Sequence, residues 1–377
     1  MKIAIDMRGA YLYHGTGIGT YTKNLVNHLL KIDNSNTYDL FYCGENTHEF
    51  KKDNSNLHLI SRKHSSFFEQ KYIPHILKKN ESQIFHIPQN GIGYKNLTAT
   101  DKFKITVTIH DLIPYVLPQT VGKTYLKNFL KDVPYVIEQS TSIITVSNYS
   151  KQEIIKFFSV DPDKISVTPL ATNSMFKPIN KILAKDFIKQ KYNIDYDFIL
   201  YLGGFSKRKN VYNLISSFAD AYKNFNKPIK LILLGNIREE FEVLKNLARE
   251  KNIEEHIIFT GFVPENELPI FYNACEFFVY ISLYEGFGLP ILEAMSCKKA
   301  VLSSNVTSIP EVVEDSSYSI DPYDTLKISE ALCEISNNNI LRNNLEEKAY
   351  VQSKKFSWDK CAHRTLTSYS KIIKENF

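Results

Sequence analysis

Tyr284-Glu285-Gly286-Phe287-Gly288-Leu289-Pro290-Ile291-Leu292-Glu293-Ala294-Met295 is the stretch on which the fold of this chain turns. Ahead of it, residues 277–281 are an unbroken aromatic and β-branched run, the pattern of a strand buried in a parallel sheet. Behind the glycines, Pro290 suits a first helical turn, and residues 291–295 continue with good helix formers. Strand, glycine loop and helix in that order make one unit of an α/β fold. The glycines let backbone approach a ligand closely, and the helix start adds N–H groups and partial positive charge. This arrangement predicts an anion site, most naturally for a phosphate.

Two carboxylates bracket that site, Glu285 in the loop and Glu293 on the helix. Carboxylates accept hydrogen bonds from paired hydroxyls, so two at different depths suit a ligand rich in hydroxyl groups. A nucleotide sugar, with its ribose, diphosphate and hexose, would use all these features. On chemistry alone, a plain strand–loop–helix turn with one capping and one solvated Glu accounts for the residues equally well.

Working outward, residues 198–202 form another apolar run, followed by Gly203-Gly204-Phe205-Ser206-Lys207-Arg208-Lys209-Asn210 and a helical pattern. Glycines, consecutive cations and a helix start make a second anion site. Near the beginning, residues 3–7 read as a strand, and Gly15-Thr16-Gly17-Ile18-Gly19-Thr20 leads into a helical run at 21–30. A glycine turn with no ligand explains that loop as readily. Residues 104–110 read as a strand ending in His110-Asp111-Leu112-Ile113-Pro114, at the carboxyl end of a sheet, where α/β proteins bind ligands. Asp111 either orients the imidazole or satisfies a turn.

The Glu285-Gly286-Phe287-Gly288-Leu289-Pro290 segment with Glu293 resembles the E-x7-E signature of retaining glycosyltransferases of family 4. The likeness covers nearly the whole chain and is strongest in its second half. It implies an α/β GT-B fold: two Rossmann-like, doubly wound parallel-sheet domains facing across a cleft. It further implies that Glu285 contacts the transferred sugar, that Glu293 holds the nucleotide ribose, and that Gly286, Phe287, Gly288 and Leu289 line the donor. Lys209 matches the family's diphosphate lysine. Many members carry an arginine directly after the first glycine, where this chain has Gly204; Arg208 is expected to take over that charge. Gly17 and Gly19 resemble the loop facing the donor diphosphate, and His110 resembles the histidine that contacts the donor sugar.

Residues 207–210 and 109–114 look most like bacterial mannosyltransferases of surface-polysaccharide assembly, such as that of lipopolysaccharide O-antigen. The resemblance therefore makes GDP-mannose the expected donor and a glycan or lipid-linked oligosaccharide the expected acceptor. Retention of anomeric configuration is implied with it. No carboxylate can be fixed as a covalent nucleophile, so a front-face route in which the departing phosphate takes the acceptor proton is expected. Alternatives are a UDP- or dTDP-sugar transferase, a phosphorylase or epimerase of the same fold, and a non-catalytic nucleotide-sugar-binding protein.

A dinucleotide dehydrogenase is the main rival. Its fingerprint needs G-x-G-x-x-G tight against the first strand and an acidic residue after the second. Here several residues separate strand from glycines, and Phe41-Tyr42-Cys43-Gly44 lacks the acid, with Glu45 one position further on. Gly122-Lys123-Thr124 imitates the end of a P-loop, but Leu117 stands where the first glycine belongs.

The 377 residues suffice for two domains, and 43% hydrophobic content excludes general disorder. The division expected is 1–175 plus a returning helix at 358–377 on the acceptor side, and 176–357 for the nucleotide sugar. The returning helix carries Ala362, Leu366, Tyr369 and Ile373 on the stripe expected to pack on the N-terminal domain. Five scattered cysteines form no C-x-x-C pair, so neither a disulfide framework nor a zinc site is indicated. Asp161-Pro162-Asp163 and Asp195-Tyr196-Asp197 fall in turn or crossover segments, so no metal or other cofactor is expected.

No leader or membrane-spanning run is evident, which predicts a cytoplasmic protein, and no nucleic-acid partner is expected. The net charge of +5 favours an acidic surface. Within 122–133, Leu126, Phe129, Leu130 and Val133 share a helical stripe flanked by Lys123, Lys127 and Lys131, and Pro134 ends the pattern. Such a helix suits peripheral contact with anionic lipid, at roughly 1 kcal/mol per lysine, and equally suits a surface helix on a domain core. Residues 67–79 give a second, similar candidate.

Overall fold

The computed structural model describes residues 1–61, 65–100, 103–236 and 240–374. The chain divides into two compact units, Met1–Leu170 with Ser357–Phe377, and Ala171–Phe356. The first is built on β1 (Lys2–Asp6), β2 (Thr37–Tyr42), β3 (Ser55–Leu59), β4 (Ile84–Ile87), β5 (Lys104–Ile109), β6 (Ser142–Thr145) and β7 (Ile165–Val167). They lie in the order β3-β2-β1-β4-β5-β6-β7, all parallel, with Ile3 of β1 opposite Tyr38 and Ile84. Ile3, Ile5, Ile84 and Phe85 are fully buried, because helices cover both faces of a parallel sheet and leave no polar side.

The second unit repeats the plan with β8 (Phe198–Leu202), β9 (Lys230–Leu234), β10 (Ile257–Gly261), β11 (Phe277–Tyr280), β12 (Val301–Ser304) and β13 (Tyr318–Ile320). Their order is β10-β9-β8-β11-β12-β13, again all parallel. Both units are therefore doubly wound Rossmann-like sheets. Each reverses its winding once, between β1 and β4 and between β8 and β11. Loops leaving those neighbouring strands diverge, so a crevice opens at their carboxyl ends.

Several local expectations change. β3 and β13 carry no buried apolar run, because an edge strand has a neighbour on one side only and stays partly exposed. The polar, lysine-rich stretch 172–194, which reads as a plain crossover between the domains, contains a helix, Lys181–Tyr192, capped by Asn180 and seated through Ala184 and Ile188. Pro134 does not end its helix. Lys123–Gln139 runs through it, because Phe129 and Val133 before it and Val136 and Ile137 after it are buried in one core. Of the apolar stripe named above, Leu130 is the member left exposed.

The C-terminal helix Trp358–Lys374 packs on the first unit, but through Cys361, Ala362, Thr365, Ser368, Tyr369 and Ile372. Leu366 and Ile373 sit at its margin. Polar anchors turn the helix: Tyr369 OH bonds His86 Nδ1 at 2.6 Å, and Ser368 Oγ meets Ser142 Oγ at 2.9 Å. A purely apolar periodicity overlooks such anchors.

Candidate active site

The switch point of the second unit is framed by the loops after β8 and β11. The first passes Gly204, whose α-carbon faces open space, and makes a 3-10 turn at Lys207–Lys209. It ends at Asn210, which has φ 61° and fixes the turn by donating to the Pro322 carbonyl at 2.7 Å. The second passes Glu285 and reaches Gly288, whose φ of 104° lets the chain turn into the helix Leu289–Ser296. The loops are stitched together. Leu283 N–H donates to the Arg208 carbonyl at 2.7 Å, and Arg208 Nη1 donates to the Tyr284 carbonyl at 2.9 Å.

Glu285 is the hub. Its Oε1 accepts from Arg208 Nη1 at 2.9 Å, Lys209 Nζ at 2.6 Å, Ser282 Oγ at 2.6 Å and Tyr280 OH at 3.0 Å. Its backbone N–H donates to Thr307 Oγ1 at 3.2 Å, and its carbonyl accepts from Ser308 Oγ at 2.8 Å. Burial alone would raise its pKa, but the Arg208 and Lys209 charges overturn that and hold the carboxyl at about 2. All four side-chain bonds reach one oxygen, so among the described residues Oε2 keeps its acceptor capacity. Two cations against one carboxylate leave a positive balance beside a helix N-terminus, which suits an anion.

Glu293, on the helix, meets no cation among the described residues. Tyr272 OH donates to its Oε2 at 2.9 Å, and burial with help from Glu265 pushes its pKa up to about 8. Phe278 and Tyr280 alternate along β11 and so project from one face. The Lys209 ammonium lies 4.8 Å over the Tyr280 ring, while the Tyr272 ring packs edge-on against Phe278 at 5.2 Å. Lys209 and Glu293 therefore stand on the same face of the sheet.

Phe287 belongs to the packing. It is 6% exposed and meets the Phe356 ring at 5.9 Å, so its side chain is core and only its backbone can face a ligand. The sequence reading missed Tyr272, Tyr280, Ser282, Thr307 and Ser308. Ser282 and Tyr280, three and five residues before Glu285, are the local signals available; Tyr272, Thr307 and Ser308 come from elements that the fold alone brings in.

The remaining expected residues lie in the first unit. His110, at the end of β5, has Nε2 within 2.8 Å of the Pro88 carbonyl. A carbonyl only accepts, so Nε2 carries the hydrogen and Nδ1 presents its lone pair. Burial lowers the pKa to about 4, which keeps the ring neutral. The Tyr21 ring stands edge-on to it at 4.8 Å. Asp111 Oδ1 accepts the Ile113 N–H at 3.1 Å and so serves a turn; Pro88 is the group that orients the imidazole.

Thr16 caps the helix Gly17–Ile32 through the Gly19 N–H at 3.3 Å. A Cβ at Gly19 would stand 2.2 Å from the Tyr13 carbonyl oxygen, so this glycine answers a close approach of its own loop, whereas Gly17 faces open space. Of the acidic triplets, Asp161 caps a turn through the Asp163 N–H, and Asp197 pairs with Lys185 and Lys227. Among the described residues, no three or more His, Cys, Asp or Glu are grouped to hold a metal ion.

Comparison with known proteins follows the same division. The profile described as "Glycosyl transferases group 1" matches residues 184–352, and that described as "Glycosyltransferase Family 4" matches 15–174. The chain is 31% identical to an O-antigen chain mannosyltransferase B of Escherichia coli, over 95% of its own length and 96% of the other. It is 29% identical to a serotype-specific mannosyltransferase WbdA of the same species over 79% of its length, but spans only 36% of that protein. Among solved structures, a sucrose-phosphate synthase from Thermosynechococcus elongatus superposes with a TM-score of 0.77 at 18% identity, covering 100% of both chains.

Proposed function

Since this chain belongs to the family 4 glycosyltransferases of the GT-B fold, we propose that it moves mannose from GDP-mannose to a glycan or lipid-linked acceptor in surface-polysaccharide assembly. Transfer proceeds with retention and without a metal ion. The observation that carries the reading is the Arg208–Glu285–Lys209 cluster beside the start of the helix Leu289–Ser296.

A diphosphate seated over Gly204 and that helix start meets Arg208 and Lys209. As the glycosidic bond breaks, negative charge grows on the leaving phosphate, and these fixed cations stabilise it; one preorganised donor is typically worth about 3 kcal/mol. Glu285 Oε2 accepts a hydroxyl of the transferred sugar, and Glu293 accepts from the ribose. In the first unit, His110 offers its Nδ1 lone pair to a sugar hydroxyl. The acceptor oxygen forms the new bond on the face the phosphate leaves, and its proton passes to a phosphate oxygen, so Glu285 need not become a covalent nucleophile.

No described helix is long and apolar enough to cross a membrane. Exposed Leu130 between Lys127 and Lys131 supports peripheral contact with anionic lipid at the cytoplasmic face. A thermal-shift series against GDP-mannose, UDP-glucose and a dTDP-sugar tests the donor, since a ligand at a hundred times its Kd stabilises by about 2.7 kcal/mol. Stabilisation by GDP-mannose above the others is expected; none by GDP-mannose contradicts the reading.

A further inference from the structure

Glu285 is held from a third direction, and the residue that holds it stands in a conformation its own side chain resists. The loop after β12 bends into the short helix Ile309–Val313, and at the bend Thr307 has φ 58°. In this left-handed region Cβ crowds the backbone; glycine and asparagine enter it readily, and β-branched residues are outliers there. Among the described residues, the other non-glycine positions at positive φ are Asn, Ser, Lys and Glu, and Thr307 is the β-branched one. So strained a conformation persists where the surroundings enforce it, and such positions gather at functional sites.

The hydrogen bonds show what the bend achieves. Thr307 Oγ1 accepts the Glu285 N–H at 3.2 Å, and Ser308 Oγ donates to the Glu285 carbonyl at 2.8 Å. Two successive hydroxyls thus take both main-chain polar groups of one residue. At the end of β12, Ser304 Oγ donates to the Ser282 carbonyl at 2.7 Å, and Ser282 Oγ in turn donates to Glu285 Oε1 at 2.6 Å. Ser282, Ser304 and Ser308 are all buried.

Glu285 needs this grip because its side chain is pinned at one atom. Arg208, Lys209, Ser282 and Tyr280 all converge on Oε1. A carboxylate fixed at one oxygen still swings about it, and Oε2 is the atom that moves. Holding the main chain as well fixes the side chain at both ends, and the direction of Oε2 follows. The sheet does not supply that hold, since β11 ends at Tyr280. A glycine at 307 would make the same bend without strain, but it would bring no hydroxyl.

We propose that Thr307 is a positioning residue, whose strained backbone places a hydroxyl that fixes the Glu285 main chain and so aims Oε2 at the transferred sugar. The assignment rests on Glu285 being the acceptor for that sugar, but not on which nucleotide carries it.

The test compares Thr307→Ser, Thr307→Ala and Thr307→Gly in the full chain. It reads turnover of GDP-mannose with a synthetic mannosyl acceptor, thermal melts, and the ¹³C resonance of the Glu285 carboxyl at pH 7, assigned through its loss in Glu285→Gln. Turnover is expected to follow the hydroxyl: Thr307→Ser stays within about twofold of wild type, while Thr307→Ala and Thr307→Gly each lose about tenfold or more in kcat, as a small misplacement of a reacting group produces. Melting is expected to follow the backbone instead, with Thr307→Gly about 2 °C above Thr307→Ala, because glycine sheds the strain that alanine keeps. The carboxyl resonance should hold its place in Thr307→Ser and move in the other two. Wild-type turnover in Thr307→Ala, turnover that ranks with melting temperature, or a resonance unmoved in Thr307→Ala overturns the assignment. Wild-type turnover in Glu285→Gln contradicts the role proposed for Glu285 itself. In that case, or if GDP-mannose is not turned over at all, the resonance alone decides whether Thr307 positions Glu285.

Discussion

Glu285 and Glu293, on one continuous loop and helix, are held at opposite ends of the titration range, at about 2 and about 8. Burial pushes both upward. Glu285 meets Arg208 and Lys209, while Glu293 has the Tyr272 hydroxyl and, among the described residues, no cation. Two carboxylates with separated protonation states are equipped for different tasks. Glu285 is a permanent anion organising cations, and Glu293 is an acid near neutral pH that becomes a better hydroxyl acceptor on losing its proton.

With Glu293 holding the ribose as proposed, that difference should make donor binding a proton-releasing event. Ribose hydroxyls favour the ionised form of Glu293, so binding near pH 7 should expel up to about one proton, fading above about pH 9, where the carboxyl is already ionised. Calorimetry in buffers of unequal ionisation enthalpy reads this directly. Glu293→Gln should abolish the release, and a buffer-independent wild type would contradict the role given to Glu293.

The Glu285 cluster predicts an acid-sensitive stability term. Its folded pKa of about 2 lies below the ordinary 4.5, so the contribution is complete above about pH 4.5 and is lost as pH falls toward 2. Glu285→Gln leaves Arg208 and Lys209 facing each other, which should cost about 3–5 kcal/mol near neutrality. Urea melts from pH 7 downward should show the gap between variant and wild type closing. Equal stability at pH 7 would remove Glu285 from the centre of the site.

Lys209→Ala and Arg208→Ala should each lower kcat on the order of a hundredfold in folded protein, because each removes a cation that the proposed reaction uses to stabilise the leaving phosphate. Steady-state turnover with circular dichroism as the folding control measures this. Wild-type turnover in either variant would exclude that cation from the chemistry.

In the proposed reaction the charge on the leaving phosphate is met by Arg208, Lys209 and backbone N–H groups, so turnover should persist in excess EDTA. Activity lost to EDTA and restored by Mg²⁺ or Mn²⁺ would show that these groups are insufficient.

The sequence disclosed the strand–glycine–helix units and both acids of the second unit, because glycines, Pro290 and buried apolar runs leave local signals. It did not disclose that Phe287 is core, that Gly19 accommodates the Tyr13 carbonyl, or that Pro88 orients His110. Those facts depend on which distant segments the sheet brings together. β3, β13 and the polar helix anchors escaped because they lack the buried apolar pattern on which such reading relies.

The most direct test is a transfer reaction with GDP-mannose and a synthetic lipid-linked mannosyl acceptor, with the product linkage assigned by NMR. The account predicts GDP release matched by a new α-mannoside, formed without added metal. Binding of GDP-mannose with no turnover, or transfer from UDP- or dTDP-sugars only, would contradict it.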